Sequence, residues 1–399
     1  MERCAICDQD RLFLTSSARP AYEHGAQAVR VVDLFCGCGG LSLGIAEAAR
    51  SAGRALDLRL AVDSDRDARG VFKANFPGAH VSGKSVERWI DGDLGSKPTR
   101  SERRVAAAVG RIDILAAGPP CQGHSDLNNH TRRSDERNLL YLRVARAAEI
   151  LRPEIVVIEN VPAVRRATDD VVGKTRRALE KMGYTVEDDV ISLVTLGTPQ
   201  SRRRHVLLAY FGHSRGILSS VTPRCVVDPP RDLAWAIGDL NETSSTAVID
   251  RPSKISPNNT KRIAWLFDNE AYDLPNEHRP KCHQSEHSYV SMYGRLRWDR
   301  PTQTITTGFG SMGQGRYVHP GCRRTLTPHE AARIQMLPDF FDLSSARTHH
   351  AMATLIGNAV PPTLALRLLS PLLTGAKSHD QGPVKAQQHN RHKSELVLA

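Results

Sequence analysis

Three short motifs carry residue types that do covalent chemistry. Gly118-Pro119-Pro120-Cys121-Gln122-Gly123-His124-Ser125 follows the apolar run Ile112-Asp113-Ile114-Leu115-Ala116-Ala117. The run reads as a buried strand, and two prolines stop it and stiffen the turn beyond. A packing cysteine usually sits inside an apolar run. Cys121 sits past the strand end with a glycine and small polar residues behind it, a layout that suits a nucleophile; a structural thiol is the alternative. Glu159-Asn160-Val161-Pro162 follows the run Ile155-Val156-Val157-Ile158. Desolvation there favours the protonated, proton-donating form of Glu159, and the other reading is an acid capping the next helix. Gln200-Ser201-Arg202-Arg203-Arg204-His205 leads into the strand 206–210. In an extended chain Arg202 and Arg204 face one side, whereas a run of arginines is more often a solvated patch.

These groups need elements to position them, and a ligand to act with. Upstream, Val31-Val32-Asp33-Leu34-Phe35-Cys36-Gly37-Cys38-Gly39-Gly40 reads as strand, glycine turn and the start of a helix over 41–50. Glycines there let a ligand approach the backbone at a helix N-terminus. A second strand, 58–62, ends at Asp63, and an acid at that place suits a ribose diol. The spacing is not that of a dinucleotide fingerprint. Asp33 opening the turn, with Gly37 and Gly39 in it, fits a nucleoside cofactor without a pyrophosphate. Strands and helices alternate from about 31 to 210, which predicts an α/β fold with a mostly parallel sheet. Ligands of such sheets bind beyond the carboxyl ends of the strands. Gly37, Asp63, Cys121 and Glu159 each follow a short apolar run, so all four are expected on one edge although they are far apart in sequence.

Composition sets the outer bounds. The 399 residues are enough for about two or three domains, and 40% are hydrophobic, so a globular core is expected. No uncharged apolar run of about 20 residues stands out and the N-terminus lacks a signal core, so the expected location is cytoplasmic, with no membrane partner. Eight cysteines in so long a chain do not resemble a disulfide framework. Lys and Arg total 54 against 43 Asp and Glu, a net charge of +11 that favours a polyanionic partner, nucleic acid first. From about 211 to 299 prolines, histidines and polar residues replace the α/β repeat. His278, Cys282, His283 and His287 cluster there, and Cys4 and Cys7 form a pair near the start. No second pair follows Cys4 and Cys7 at zinc spacing; the histidine cluster could conceivably hold zinc, but polar contact residues or plain surface are the favoured reading, and no metal is expected. The run 300–310 reads as a strand with a glycine-rich turn, Thr327-Pro328 as a helix start, and 357–362 as the start of the last helix, which runs to about 373.

The motifs DLFCGCGG, GPPCQGHS, ENV, QSRRRH, RPTQTITT and GNAVPP stand in an order that resembles the DNA (cytosine-5) methyltransferases. The resemblance covers about 31–373, with a gap at the specificity region. It implies a Rossmann-like, S-adenosylmethionine-dependent methyltransferase domain with a smaller target-recognition domain, and double-stranded DNA between them. The corresponding layout is an N-terminal extension over 1–28, the catalytic domain over 29–213 and the target-recognition domain over 214–340. A returning segment over 341–375 and a disordered tail over 376–399 complete it. The methyl donor S-adenosylmethionine would lie in the glycine turn, with Phe35 on the adenine, Asp63 on the ribose hydroxyls, Leu140 lining the pocket and Asn358 completing it. Cys121 would be the nucleophile and Glu159 the partner of the target base. Arg204 would hold the ring carbonyl and Arg202 the cysteine loop, and the loop 122–133 would close over a flipped base. The family further implies a monomer serving a restriction–modification system, with a cognate endonuclease for the same site. A tRNA cytosine-5 methyltransferase and a non-catalytic DNA-binding protein on the same scaffold are the competing readings.

The chain departs from the family at the donor. Ser64 stands where an aromatic commonly follows the ribose-binding acid, Asp63 is one methylene shorter than the usual Glu, and Ser82-Gly83-Lys84 stands where an Asp is expected to meet the adenine amino group.

Overall fold

The structure, a computed structural model, describes residues 5–25, 27–120, 139–167, 169–211, 216–218, 227–242, 247–284 and 291–375. Cys4, Cys121, the loop 122–133, His287 and the tail 376–399 lie outside the described residues.

Seven strands form one sheet: β1 (Ala28–Leu34), β2 (Ala55–Val62), β3 (Val81–Ser82), β4 (Ile114–Ala117), β5 (Ile155–Asn160), β6 (Thr185–Ser192) and β7 (Arg203–Tyr210). Their spatial order is β3-β2-β1-β4-β5-β7-β6. The first five run parallel, and β7 lies antiparallel between β5 and β6. This is the predicted α/β sheet, with the order reversing between β1 and β4, where such sheets bind ligands.

Alternation along the strands fills two cores. Val31, Ala61, Ile114, Ala116, Val157 and Leu208 face one side, while Val32, Leu34, Leu115, Ala117, Val156, Ile158 and Leu207 face the other. A register shift, with Val31 paired to Leu58 and Val32 to Leu60, leaves Arg59 as a bulge in β2 beside the end of β1. On the first side lie α2 (Gly40–Ser51) and α3 (Arg66–Asn75). On the second lie α4 (Val86–Trp89), α5 (Arg100–Val109), α6 (Leu139–Leu151) and α7 (Val171–Lys181). Helix α5 starts on a capping box of Thr99 and Glu102. Glu102 also receives the buried Arg146 guanidinium, which fixes α6 beside it.

After β7 the elements are short: α8 (Leu233–Ile237) and α9 (Pro257–Asp268), the latter capped by Ser256 with Pro257 at its first position. A third apolar cluster of Ile263, Leu266, Leu274, Tyr293, Met312 and Val318 forms apart from the sheet. The run 300–310 is not a strand. Pro301 removes a donor, Thr302 makes a single bridge to Gln200, and three residues on the Ile305 amide is taken by the Gln200 side chain at 3.0 Å. Helix α10 (Pro328–Ile334) has the expected Thr327 cap, reciprocated by Glu330.

The chain then returns to the sheet through α11 (His349–Asn358) and α12 (Pro362–Gly375). The stretch 349–374 is apolar and long enough on composition to cross a bilayer. It is broken at 359–361 and lies in the first core against α2. The segment before β1 contains a helix, α1 (Ala5–Leu14). Asp10 accepts from Arg231 at 2.6 Å and from Arg367 at 2.5 Å, and Phe13 packs edge-on to Phe340. The N-terminal helix therefore ties α12 to the region after β7.

Candidate active site

The turn between β1 and α2 is built from left-handed residues: Phe35 at φ +58°, Gly37 at +54° and Gly39 at +101°. For phenylalanine this conformation costs on the order of 1 kcal/mol. It is held by Cys36 N donating to Val62 O at 3.0 Å and Gly37 N donating to Asp63 Oδ2 at 2.9 Å. Asp63 Oδ1 accepts from Asp65 N at 2.8 Å. Asp63 thus locks the ends of β1 and β2 together, and its carboxyl is pushed up from its ordinary range, burial being the main cause. A Cβ on Gly37 would meet nothing within 4 Å, whereas one on Gly40 would stand 2.3 Å from Val360 O and one on Gly44 2.2 Å from Pro362 O. Two glycines one helical turn apart let the backbone of the GNAVPP motif lie on α2. Asn358, at the end of α11, is exposed, and a Cβ on the adjacent Gly357 would stand 2.3 Å from Thr307 N. The last motif is thus wedged between 306–307 and the start of α2.

Asp33 lies at the base of this turn, fully buried. Its Oδ2 accepts from Ser42 Oγ at 2.6 Å, and its Oδ1 has no partner. Burial pushes its carboxyl up to about 7, with the Ser42 bond opposing. A raised carboxyl contributes stability that is present below its unfolded value, near 3.8, and lost as pH rises through about 7. Asp33→Asn keeps the neutral form at all pH. The variant's melting temperature should exceed the parent's by a margin that grows from about pH 4 to pH 7 and levels off above; a difference that does not change with pH would show that Asp33 does not carry this charge.

The second half of the site lies at the ends of β4 and β5. Glu159 is the fifth residue of β5 and buried. Its Oε1 stands 2.7 Å from Arg204 Nε. A Cβ on Gly118, after β4, would be 3.7 Å from Phe35 O and 3.8 Å from Glu159 Oε2. Gly118 thus joins the glycine turn to Glu159, and Cys121 follows three residues later, outside the described residues. Asn160 Nδ2 donates to Pro119 O at 3.3 Å and steadies the proline turn. Leu140 is half-buried at the second position of α6.

Arg202 and Arg204 bind different partners. Arg204 meets Glu159 and the carbonyl of Arg203. Arg202 precedes β7 and is buried, donating to Ile305 O at 2.9 Å and to Gly357 O and Ala359 O at 3.3 Å. It clamps the RPTQTITT and GNAVPP segments onto the sheet. Sequence patterning did not reveal its neighbour Gln200, which is fully buried and bonds Ile334 O, Gln335 Oε1 and Ile305 N. A glutamine so deep must find partners for both ends of its amide, but no periodicity marks which glutamine will be deep.

Two residues of the histidine cluster have other partners. His278 packs on Trp265 with ring centroids 4.6 Å apart, and His283 Nδ1 is 2.7 Å from Tyr293 Oη. Among the described residues no group of three or more His, Cys, Asp or Glu is placed to hold a metal. The same region stacks guanidiniums on aromatic rings: Arg295 on Phe267 at 3.8 Å and Arg297 on Tyr272 at 4.2 Å.

A mostly parallel sheet thus brings a glycine turn, Asp63 after β2 and the buried Glu159 beside a proline turn to one edge. Residues 29–373 match the family model of the C-5 cytosine-specific DNA methylases, and the chain belongs to that family. The type II methyltransferase M1.BsuMI of Bacillus subtilis (strain 168) is 42% identical over 362 residues, covering 90% of this chain and 84% of that protein. The type II methylase M.HgiDII of Herpetosiphon aurantiacus is 28% identical, covering 84% and 92%. The crystal structure of the Dnmt2 methyltransferase of S. pombe superposes with a TM-score of 0.57 at 19% identity, covering 88% of this chain and 99% of that one. The activity is accordingly that of a DNA cytosine-5 methyltransferase of the type II restriction–modification kind.

Proposed function

We propose that the chain methylates carbon 5 of a flipped cytosine in a specific double-stranded DNA sequence, through a covalent Cys121 adduct and with S-adenosylmethionine as donor. The observation that carries this is the meeting of the glycine turn, Gly118 and Glu159 at one sheet edge. The residues present fit the donor. The turn is open at Gly37, Asp63 ends β2, and Asp33 Oδ1 is a buried acceptor in want of a donor such as an ammonium group.

Carbon 5 of cytosine is a poor nucleophile until carbon 6 is attacked. The Cys121 thiolate forms a bond to carbon 6, and the electron pair of the ring double bond becomes available at carbon 5. A proton delivered through Glu159 to ring N3 offsets the charge that attack loads onto the ring. Arg204 orients Glu159 through its contact with Oε1. Bound S-adenosylmethionine supplies the methyl group. A base then takes the carbon-5 proton, and the carbon–sulfur bond breaks to restore the thiolate. An unperturbed thiol near pKa 8.5 is only a few per cent ionised at neutral pH, and a cation brought beside Cys121 would raise the reactive fraction.

Flipping costs a few kcal/mol, offset by contacts to the duplex. The basic balance of the chain and the arginine–aromatic stacks at 267–297 support DNA as that partner, and the region after β7 would carry target recognition. The DNA reading is favoured over tRNA by the relatives, whose names are those of type II modification enzymes. A cytoplasmic monomer paired with a cognate endonuclease completes the reading. Base-resolution mapping of plasmid DNA and of tRNA after incubation with the protein and donor tests it. Methylcytosine at one recurring DNA sequence is expected; methylation of tRNA alone would overturn the DNA assignment.

A further inference from the structure

Ser64 leaves the site without the aromatic that commonly follows the ribose-binding acid, and the structure puts something else there. Arg69, on α3, reaches back over the ends of β2 and β3. Its Nη1 donates to Asp63 O at 3.0 Å and to Ser64 O at 2.7 Å. Across from those carbonyls it lies against Gly83, where a Cβ would stand 2.7 Å from Cζ and 3.0 Å from Nε and Nη1. Only glycine at 83 leaves room for the guanidinium in this place. Nε and Nη2 make no hydrogen bond among the described residues, and the side chain is half-buried. Lys84, by contrast, lies 5.7 Å over Trp89, and Ser82 Oγ accepts from Trp89 Nε1 at 3.1 Å.

A nucleoside with its ribose at Asp63 and its other arm at the β1 turn must extend its base outward, over β2 and toward β3, because the sheet order puts β3 outermost. Arg69 occupies that margin. We propose that the Arg69 guanidinium, propped between the Ser64 carbonyl and Gly83, is the stacking face for the donor's adenine in this protein. The inference rests on the donor reading above. A planar guanidinium stacks on an aromatic face as an ammonium does not. Nothing in the chain's motifs marks it, since Arg69 reads as one of several arginines on an exposed helix.

The test is calorimetric binding of S-adenosylhomocysteine and of adenosine to the full-length protein, with melting curves for each variant. Arg69→Ala should weaken both ligands by about the same factor, roughly five- to tenfold, with the melting temperature kept. Arg69→Lys should not restore binding. Gly83→Ala, which displaces the guanidinium, should reproduce the loss, and the double variant should be no weaker than either single one. Unchanged binding by Arg69→Ala, or recovery in Arg69→Lys, would overturn the stacking role while leaving the donor site intact. Failure of the unaltered protein to bind S-adenosylhomocysteine at all would instead overturn the donor reading and this one with it.

Discussion

Cys121→Ser should lower methyl transfer by about 10³-fold or more while leaving DNA affinity within about twofold. The hydroxyl is far less acidic than the thiol, so the reactive anion at this position all but disappears at neutral pH. Affinity for the duplex rests on cationic contacts with phosphates, none of which the substitution touches. Transfer of labelled methyl groups to plasmid DNA reads the first quantity, and a gel-shift titration at fixed salt reads the second. Turnover at the parental rate would remove Cys121 from the mechanism. Loss of both activities together would mean that the proline turn had collapsed, which Gly118 and Asn160 hold against the sheet independently of the thiol.

Arg202→Ala should destabilise the fold by on the order of 3 kcal/mol. The guanidinium satisfies the carbonyls of Ile305, Gly357 and Ala359 in a dry place. Removing it strands Ile305 O and Ala359 O, leaves Gly357 O only a 3.4 Å bond from Gln335 Nε2, and loosens two segments from the sheet at once. Lysine should recover only part of the loss, because a single ammonium does not span the fork of a guanidinium. Chemical denaturation gives the number. If instead Arg202 acts chiefly on the loop that carries Cys121, Arg202→Ala will lose turnover with its denaturation midpoint unchanged.

The glycine turn, the strand ends at Asp63 and Glu159, the Thr327 cap and the parallel sheet were legible because each is written locally. An apolar run of period two, a proline or glycine after it and a charged residue at its end need only a few neighbouring positions. The family was legible because six such motifs stand in order over 345 residues of the family match, 29–373.

Contacts between distant segments were not legible. Arg202 and Arg204 look equivalent in a run of three arginines, yet one joins 305 to 357–359 and the other meets Glu159. Gly40 and Gly44 look like ordinary helix residues until the backbone of 360–362 is laid on them. The first 28 residues show no pattern by themselves, because α1 has its partners at Arg231, Phe340 and Arg367, more than two hundred residues away. Arg69 gains meaning only beside Gly83. Local chain statistics determined which strands, turns and reactive groups this protein has. Which of its many arginines and glycines matter was decided by close packing, since long-range contacts depend on shapes that form only once the whole chain has folded.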